Sequence, residues 1–280
     1  MVALRIDVVT FNENEFRAVD ALFDDLGQQP TVWSRQGPEA LETSEPRHIV
    51  LRHRPMRAQG NVLAAAKLAE AFADQQRQPT FVVFYGCAGS ANASSVGSAF
   101  LVGHVSYASL GTVSPSGANE VVTLKNKWLC WTDPKDVDPI ESIEFSASVG
   151  TGALDLVAAT SLERAHVLAT DKVIRVGAST PPVASVPGPP TRKYLKEEWT
   201  YGQAIAHAQE QAGGVPLLVE MESFGIGAVA TALSFKDSVV IVRVVTDDLV
   251  NHATSDAQQA AHLMAGRVAL SRVLFAMMAN

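Results

Sequence analysis

Two short runs of branched and linear aliphatic residues, Pro216–Val219 and Val239–Val245, are each bounded by polar positions. Continuous apolar runs of that length predict strands buried on both faces. Between them Ser223–Leu233 is rich in Ala and Gly and predicts a helix. The unit reads β-α-β, which calls for parallel strands and a right-handed crossover. Upstream, Leu4–Thr10 predicts a first strand. Glu13–Leu26 predicts a helix, with Phe16, Val19, Leu22 and Phe23 on one face. Thr31–Arg35 and His48–Arg54 predict a pair of short strands, and Gly60-Asn61 leads into a helix over Val62–Phe72. Thr80–Phe84 predicts a buried strand that ends in the small-residue turn Tyr85–Ser90.

Farther along, Phe100–Trp131 is mostly β-patterned. Gly152–Leu168 predicts a helix, Lys172–Val176 a strand, Lys193–Gln211 a helix, and Asn251–Asn280 a closing helix with a broad apolar face. The five prolines of Ser179–Arg192 preclude helix and central strand there. That segment reads either as a surface connection or as a flap over a site. No other compositional break divides the chain. The expected fold is α/β: a single three-layer α/β/α domain over residues 1–280, with a central mixed twisted sheet.

Composition narrows the function. At 280 residues and 47% hydrophobic, the chain is long enough for a large core. Its net charge of −7 argues against a dedicated nucleic-acid binder, which needs a basic face. Two cysteines, Cys87 and Cys130, provide neither a disulfide framework nor a zinc cluster. The N-terminal MVALRIDVV lacks the order of a signal peptide, and no uninterrupted apolar run approaches the ~18 residues of a membrane span. A cytoplasmic protein is expected, without membrane or nucleic-acid partners, cofactor or metal.

Acid follows each of the two apolar runs: Glu220 and Glu222 after the first, Asp247 and Asp248 after the second. Ligands of open α/β sheets bind at the carboxyl ends of strands, so these acids suit a common crevice. They also suit the first turns of helices, and residue type leaves both roles open. The same holds for Glu13 and Glu15 after the first strand. Arg52, Arg54 and Arg57, with His53, form a basic loop that reads as a solvated turn or as a receiver for an anion.

The segment VEMES, a small-residue helix and then VRVVTD resembles the nucleoside phosphorylase and nucleosidase superfamily, above all the methylthioadenosine/S-adenosylhomocysteine nucleosidases. Tyr85-Gly86-Cys87-Ala88-Gly89 resembles the family's Gly-x-Ala-Gly segment, whose backbone lies against sugar and base. Trp199 stands 21 positions before Glu220, where the family carries an aromatic residue that stacks on the purine. The family's Ser-Gly-Asp before that aromatic is replaced here by Lys196-Glu197-Glu198.

The resemblance implies hydrolysis of an N-ribosidic bond in a purine nucleoside or nucleotide. In it Asp247 is the acid toward the base. Glu15 activates water, with Glu13 as the fallback. Substrate-binding positions are Cys87, Ala88, Gly89, Trp199, Glu220, Met221, Glu222 and Arg243. Glu222 holds the ribose hydroxyls, Met221 packs on the sugar, and Arg243 orients an acid or holds water or phosphate. A homodimer is implied, with Tyr107 as the candidate residue facing a neighbouring subunit. The alternatives are a phosphorylase using inorganic phosphate and a non-catalytic nucleoside-binding protein. Phosphorylases of the superfamily carry Gly-Asp and a downstream Arg after strand one. Here Asn12–Glu15 stands in that place, and its carboxylates would repel a phosphate dianion.

Overall fold

The computed structural model of the chain describes residues 3–28, 33–37, 39–43, 47–74, 79–90, 92–107, 142–145, 148–149, 154–170, 208–210, 212–249 and 256–279. The first strand, β1 (Leu4–Thr10), is followed by helix α1 (Glu13–Gly27). Asn12 starts α1 through a capping box: its side chain accepts from the Glu15 amide, and the Glu15 carboxylate returns to the Asn12 amide. Next come β2 (Ser34–Arg35), β3 (Ala40–Thr43), β4 (Ile49–Pro55) and helix α2 (Asn61–Phe72). Strands β5 (Phe81–Ser90) and β6 (Ala99–Tyr107) follow. Short pieces β7 (Ser142–Glu144), β8 (Ser148–Val149), β9 (Leu154–Asp155) and α3 (Leu156–Thr160) lead to β10 (Glu163–Ala169). The C-terminal part holds β11 (Leu217–Glu220), α4 (Ser223–Ala232), β12 (Val239–Asp247) and α5 (Asp256–Ala279).

These strands form a mixed ten-stranded sheet in the order β11-β10-β6-β12-β5-β1-β4-β3-β2, with β7 beside β6. Side chains alternate between two apolar clusters. Val83, Val242 and Val244 face Leu22 and Phe23 of α1 and Leu263 and Leu270 of α5. Phe84, Ile241 and Val245 face Leu68 of α2 and Ile226 of α4. Burial on both faces is why these strands read as unbroken apolar runs. Helix α5 is long and apolar enough to cross a membrane, yet Leu263, Leu270, Val273 and Leu274 are buried in the cluster it shares with α1 and β12.

The sheet does not stay open. The last residues of β5, Gly89 and Ser90, pair antiparallel with Val219 and Leu218 of β11, so β5, β12, β6, β10 and β11 close into a ring. This corrects the expected parallel β-α-β unit. β11 and β12 are not ladder neighbours; β5 stands between them, parallel to β12 and antiparallel to β11. The two apolar runs flank one strand from opposite sides, an arrangement that periodicity within each run does not encode.

Three further expectations change. β5 continues through Ser90 instead of stopping at Phe84, because its small residues stay in ladder register with β12. Within Gly152–Leu168 only Leu156–Thr160 is helical. Ser161, at φ 57°, ends it, and Glu163–Ala169 is the parallel strand β10. Buried on both faces, that strand carries an apolar run that spacing does not distinguish from a helix. Finally, β2 and β4 do not pair; β3 lies between them. Residues 108–141 and 171–207 lie outside the description, and with them the expected strand Lys172–Val176, the Ser179–Arg192 segment and Trp199.

Candidate active site

Where the ring closes, Gly89 pairs with Asp247 on one side and with Val219 on the other. A Cβ at Gly89 would stand 2.8 Å from Asp247 Oδ1 and would overlap Leu249, so only hydrogen fits. The acids at the ends of β11 and β12 thus come together through their shared neighbour. A cavity of about 210 Å³ opens there. Among the described residues its walls include Cys87, Ala88, Gly89, Glu220, Met221, Glu222 and Asp247. Seven of the ten expected site residues therefore meet at one cavity. Of the remaining three, Glu15 and Arg243 lie against it, and Trp199 falls outside the description.

Glu15 is buried beneath the cavity wall. Its Oε2 accepts from the backbone N–H groups of Phe11 (2.8 Å) and Asn12 (3.1 Å), and its Oε1 from that of Cys87 (3.0 Å). The capping box therefore fixes a carboxylate directly behind the Cys87 backbone. Burial pushes its pKa up, opposed by the Arg243 guanidinium and by those three amides. Burial, and then the nearby Glu15 carboxylate, also push the Cys87 thiol well above its ordinary value.

Arg243 is fully buried in mid-β12. Its Nη2 donates to Glu220 Oε2 (2.5 Å) and to Ser223 Oγ (3.2 Å), and lies 3.8 Å from Glu222 Oε2. Burial pulls its pKa down, while Glu220, Glu222 and Glu15 outweigh that and raise it. Arg243 Nε and Nη1 have no hydrogen-bond partner among the described residues. Glu220 also accepts from the backbone N–H groups of Glu222 and Ser223, the start of α4, where a carboxylate complements the helix dipole. Its side chain is thereby committed to Arg243 and to α4.

Glu222 is in a different position. Burial and the like charge of Glu220 raise its pKa to about 8, against the counter-pull of Arg243. The guanidinium lies closer to Glu220 (2.5 Å) than to Glu222 (3.8 Å), so it offsets only part of the rise at Glu222. The Gly60 N–H donates to Glu222 Oε1 at 3.2 Å. Asp247 is only partly buried and lines the cavity; its Oδ1 accepts from the Leu249 N–H (3.0 Å).

Other expected residues are placed elsewhere. Tyr107 is buried within this chain, stacked on Phe224 with centroids 4.5 Å apart. Arg54 pairs with the buried Asp7 and lies over the Phe72 ring, and His53 hydrogen-bonds Thr10 and Asp20. Arg52 is exposed. The cavity also includes Asn12, Gln59, Thr170, Thr246, Leu249 and Gln259, which sequence reasoning did not single out. Asn12 signalled itself only as a helix cap, and Gln259 only as a polar residue of the last helix.

No family model and no curated protein sequence matches the chain. Solved structures do. A methylthioadenosine/S-adenosylhomocysteine nucleosidase from Helicobacter pylori, bound to butyl-thio-DADMe-Immucillin-A, superposes with a TM-score of 0.58 at 13% identity, over 98% of this chain and 99% of that one. The chain has the fold of these nucleosidases. Futalosine hydrolase of Helicobacter pylori shares it, with a TM-score of 0.56 at 13% identity over 96% and 97% of the two chains. So does the Neisseria meningitidis methylthioadenosine/S-adenosylhomocysteine nucleosidase in complex with methylthio-immucillin-A (0.54, 16%, 97% and 98%). The nucleosidase fold thus extends along nearly the whole chain, as VEMES and VRVVTD lead one to expect.

Proposed function

We propose that the chain is an N-ribosyl hydrolase that cleaves the glycosidic bond of a purine nucleoside or nucleotide with water. The observation that carries this reading is that carboxyl groups of Glu222 and Asp247, from two separated segments, line one cavity, with the Glu15 carboxylate from a third buried behind the Cys87 backbone of its wall. Bond cleavage builds positive charge on the sugar and negative charge on the base. Carboxyl groups in unlike environments divide the work of meeting the two.

In this reading Asp247 delivers a proton to N7 of the base as the C1′–N9 electron pair leaves with the purine. Glu15, its pKa raised by burial, takes a proton from the water whose oxygen bonds to C1′. Glu222 accepts from the ribose hydroxyls; these donors favour its ionised form, and the proton it held passes to solvent. Met221 packs on the sugar. Arg243 and Glu220 hold the carboxylates in place from behind. Among the described residues, Glu15, Glu220 and Glu222 surround the Arg243 guanidinium, and this local charge favours water over a phosphate dianion as acceptor.

The test is release of free base from purine nucleosides and nucleotides, with and without inorganic phosphate, by wild type and Asp247→Asn. Free ribose sugar without phosphate is expected, with Asp247→Asn lowering kcat by roughly 10²–10⁴-fold and leaving the thermal midpoint unchanged. Sugar 1-phosphate formed only with phosphate, or tight binding without turnover, overturns the assignment.

A further inference from the structure

Three amide residues line the cavity: Asn12 from the β1–α1 turn, Gln59 from the loop before α2, and Gln259 from the first turns of α5. The orientations of two of them follow from their partners. Asn12 Oδ1 accepts the Glu15 backbone N–H at 3.0 Å, so its NH₂ points the other way, 3.6 Å from Cys87 Sγ. Gln259 Oε1 accepts from Asn14 Nδ2 (2.8 Å), and Asn14 is itself oriented by the Asp256 carbonyl (3.5 Å). The Gln259 NH₂ therefore also faces Cys87 Sγ, at 3.6 Å. A thiol sulfur is a weak acceptor, and each amino group has a second hydrogen to give. Both amides have their oxygens in use, and each has one N–H besides the one directed at Cys87 Sγ.

Past Asn12 and Gln59 the cavity adjoins a second, more open hollow whose walls include Phe11, Phe16, Leu63 and Arg57. Arg57 is exposed, held at φ 48°, and has no ion-pair partner among the described residues. The acid in that hollow, Glu13, pairs with Arg17 at 3.5 Å. Among the described residues, Glu220, Glu222 and Asp247 thus stand at one end of the cleft, and at the other the amide donors stand beside Arg57 and an acid, Glu13, already paired with Arg17.

We infer that the donor-rich end receives an anionic, acceptor-rich group, a phosphate or a carboxylate, carried on the 5′ carbon of the sugar. This rests on the hydrolase reading, which puts the ribose hydroxyls at Glu222 and the base at Asp247 and leaves C5′ the atom free to extend toward Asn12 and Gln59. A thioalkyl group there would strip water from amide donors without pairing them, and sites built to pair a polar group discriminate steeply against analogues that lack it.

The experiment compares base release from adenosine, adenosine 5′-monophosphate, adenosine 5′-carboxylate and 5′-methylthioadenosine, by wild type, Arg57→Ala and Gln59→Leu. Expected is a kcat/KM for the phosphate or the carboxylate at least ~10-fold above that for the methylthio compound. Arg57→Ala and Gln59→Leu should lower the anionic substrate's value by about tenfold and adenosine's by less. The ratio between phosphate and carboxylate tells which anion the site takes. A methylthio compound turned over as well as either anion overturns the inference, as does an Arg57→Ala loss equal for adenosine and its phosphate. If no substrate loses its base, the hydrolase reading fails on its own. Calorimetric binding then decides: the anionic nucleoside binding more tightly supports the inference, and equal or weaker binding overturns it.

Discussion

Replacing Glu222 by Gln should make the protein more stable at neutral pH and less active. The argument runs through protons. Glu222 carries a pKa of about 8 in the folded chain, raised from an ordinary 4.5 by burial and by Glu220. Below pH 4.5 the group is neutral whether the chain is folded or not, and it costs nothing. Above that the unfolded chain ionises while the folded chain holds its proton, so stability falls progressively until about pH 8. At 1.36 kcal/mol per unit, the full span is on the order of 5 kcal/mol, and roughly 3 kcal/mol of it has accrued by pH 7. Gln keeps the shape, remains neutral throughout and can still accept the Gly60 N–H, so the variant escapes this loss. For a chain of this size each kcal/mol moves the melting midpoint by about 2 °C, and the variant should melt roughly 6 °C higher at pH 7. Thermal or urea denaturation followed from pH 4 to 9 reads the effect directly. The gap between variant and wild type should be near zero at pH 4 and widen up to pH 8. A constant gap, or a less stable variant at pH 8, would refute the reasoning. Turnover should fall in the same variant, because the ribose hydroxyls lose their charged acceptor.

Two other substitutions probe the framework. Gly225 lies where α4 crosses α2, and a Cβ there would overlap the Asn61 carbonyl oxygen and stand 3.0 Å from its carbon. Both atoms are backbone and cannot swing aside, so Gly225→Ala should cost about 3 kcal/mol or more in urea titrations; a wild-type midpoint would show the helices free to separate. Arg243→Met removes the cation that, among the described residues, faces Glu15, Glu220 and Glu222. Stripping one partner from a buried pair costs roughly 3–5 kcal/mol, and here the cost should shrink as acid neutralises the carboxylates. A pH-independent loss would mean that packing, not charge, is what Arg243 supplies.

Much of this architecture could be read from the chain because local signals and tertiary placement agree. The Leu4–Thr10 strand, the α1 helix with its cap and acids, and the α4 helix lie where pattern places them. Pattern fails where a segment is buried on all sides. Glu163–Ala169 looks helical by spacing but is held as a strand by its ladders to β6 and β11. The carboxyl residues of the site were legible because strand-end acids are conspicuous against apolar runs. Their roles were less so: Glu220 and Glu222 differ by two positions, yet only the fold shows that Glu220 is taken by Arg243 and α4 while Glu222 is left facing the cavity. The amides Gln59 and Gln259 were invisible, since a solvated glutamine and one turned into a cleft have the same neighbours in sequence.

Ring closure has a consequence for how copies of this chain behave in a crowded solution. An unpaired outer strand offers a template onto which another chain can add, the usual first step toward aggregation. Joining β11 back to β5 removes the edge that β11 would otherwise present. At the other end of the path the outermost strand among the described residues is β2, two residues long and bearing Arg35, which pairs at 2.5 Å with Asp24. Little backbone is left there for a stray strand to recognise.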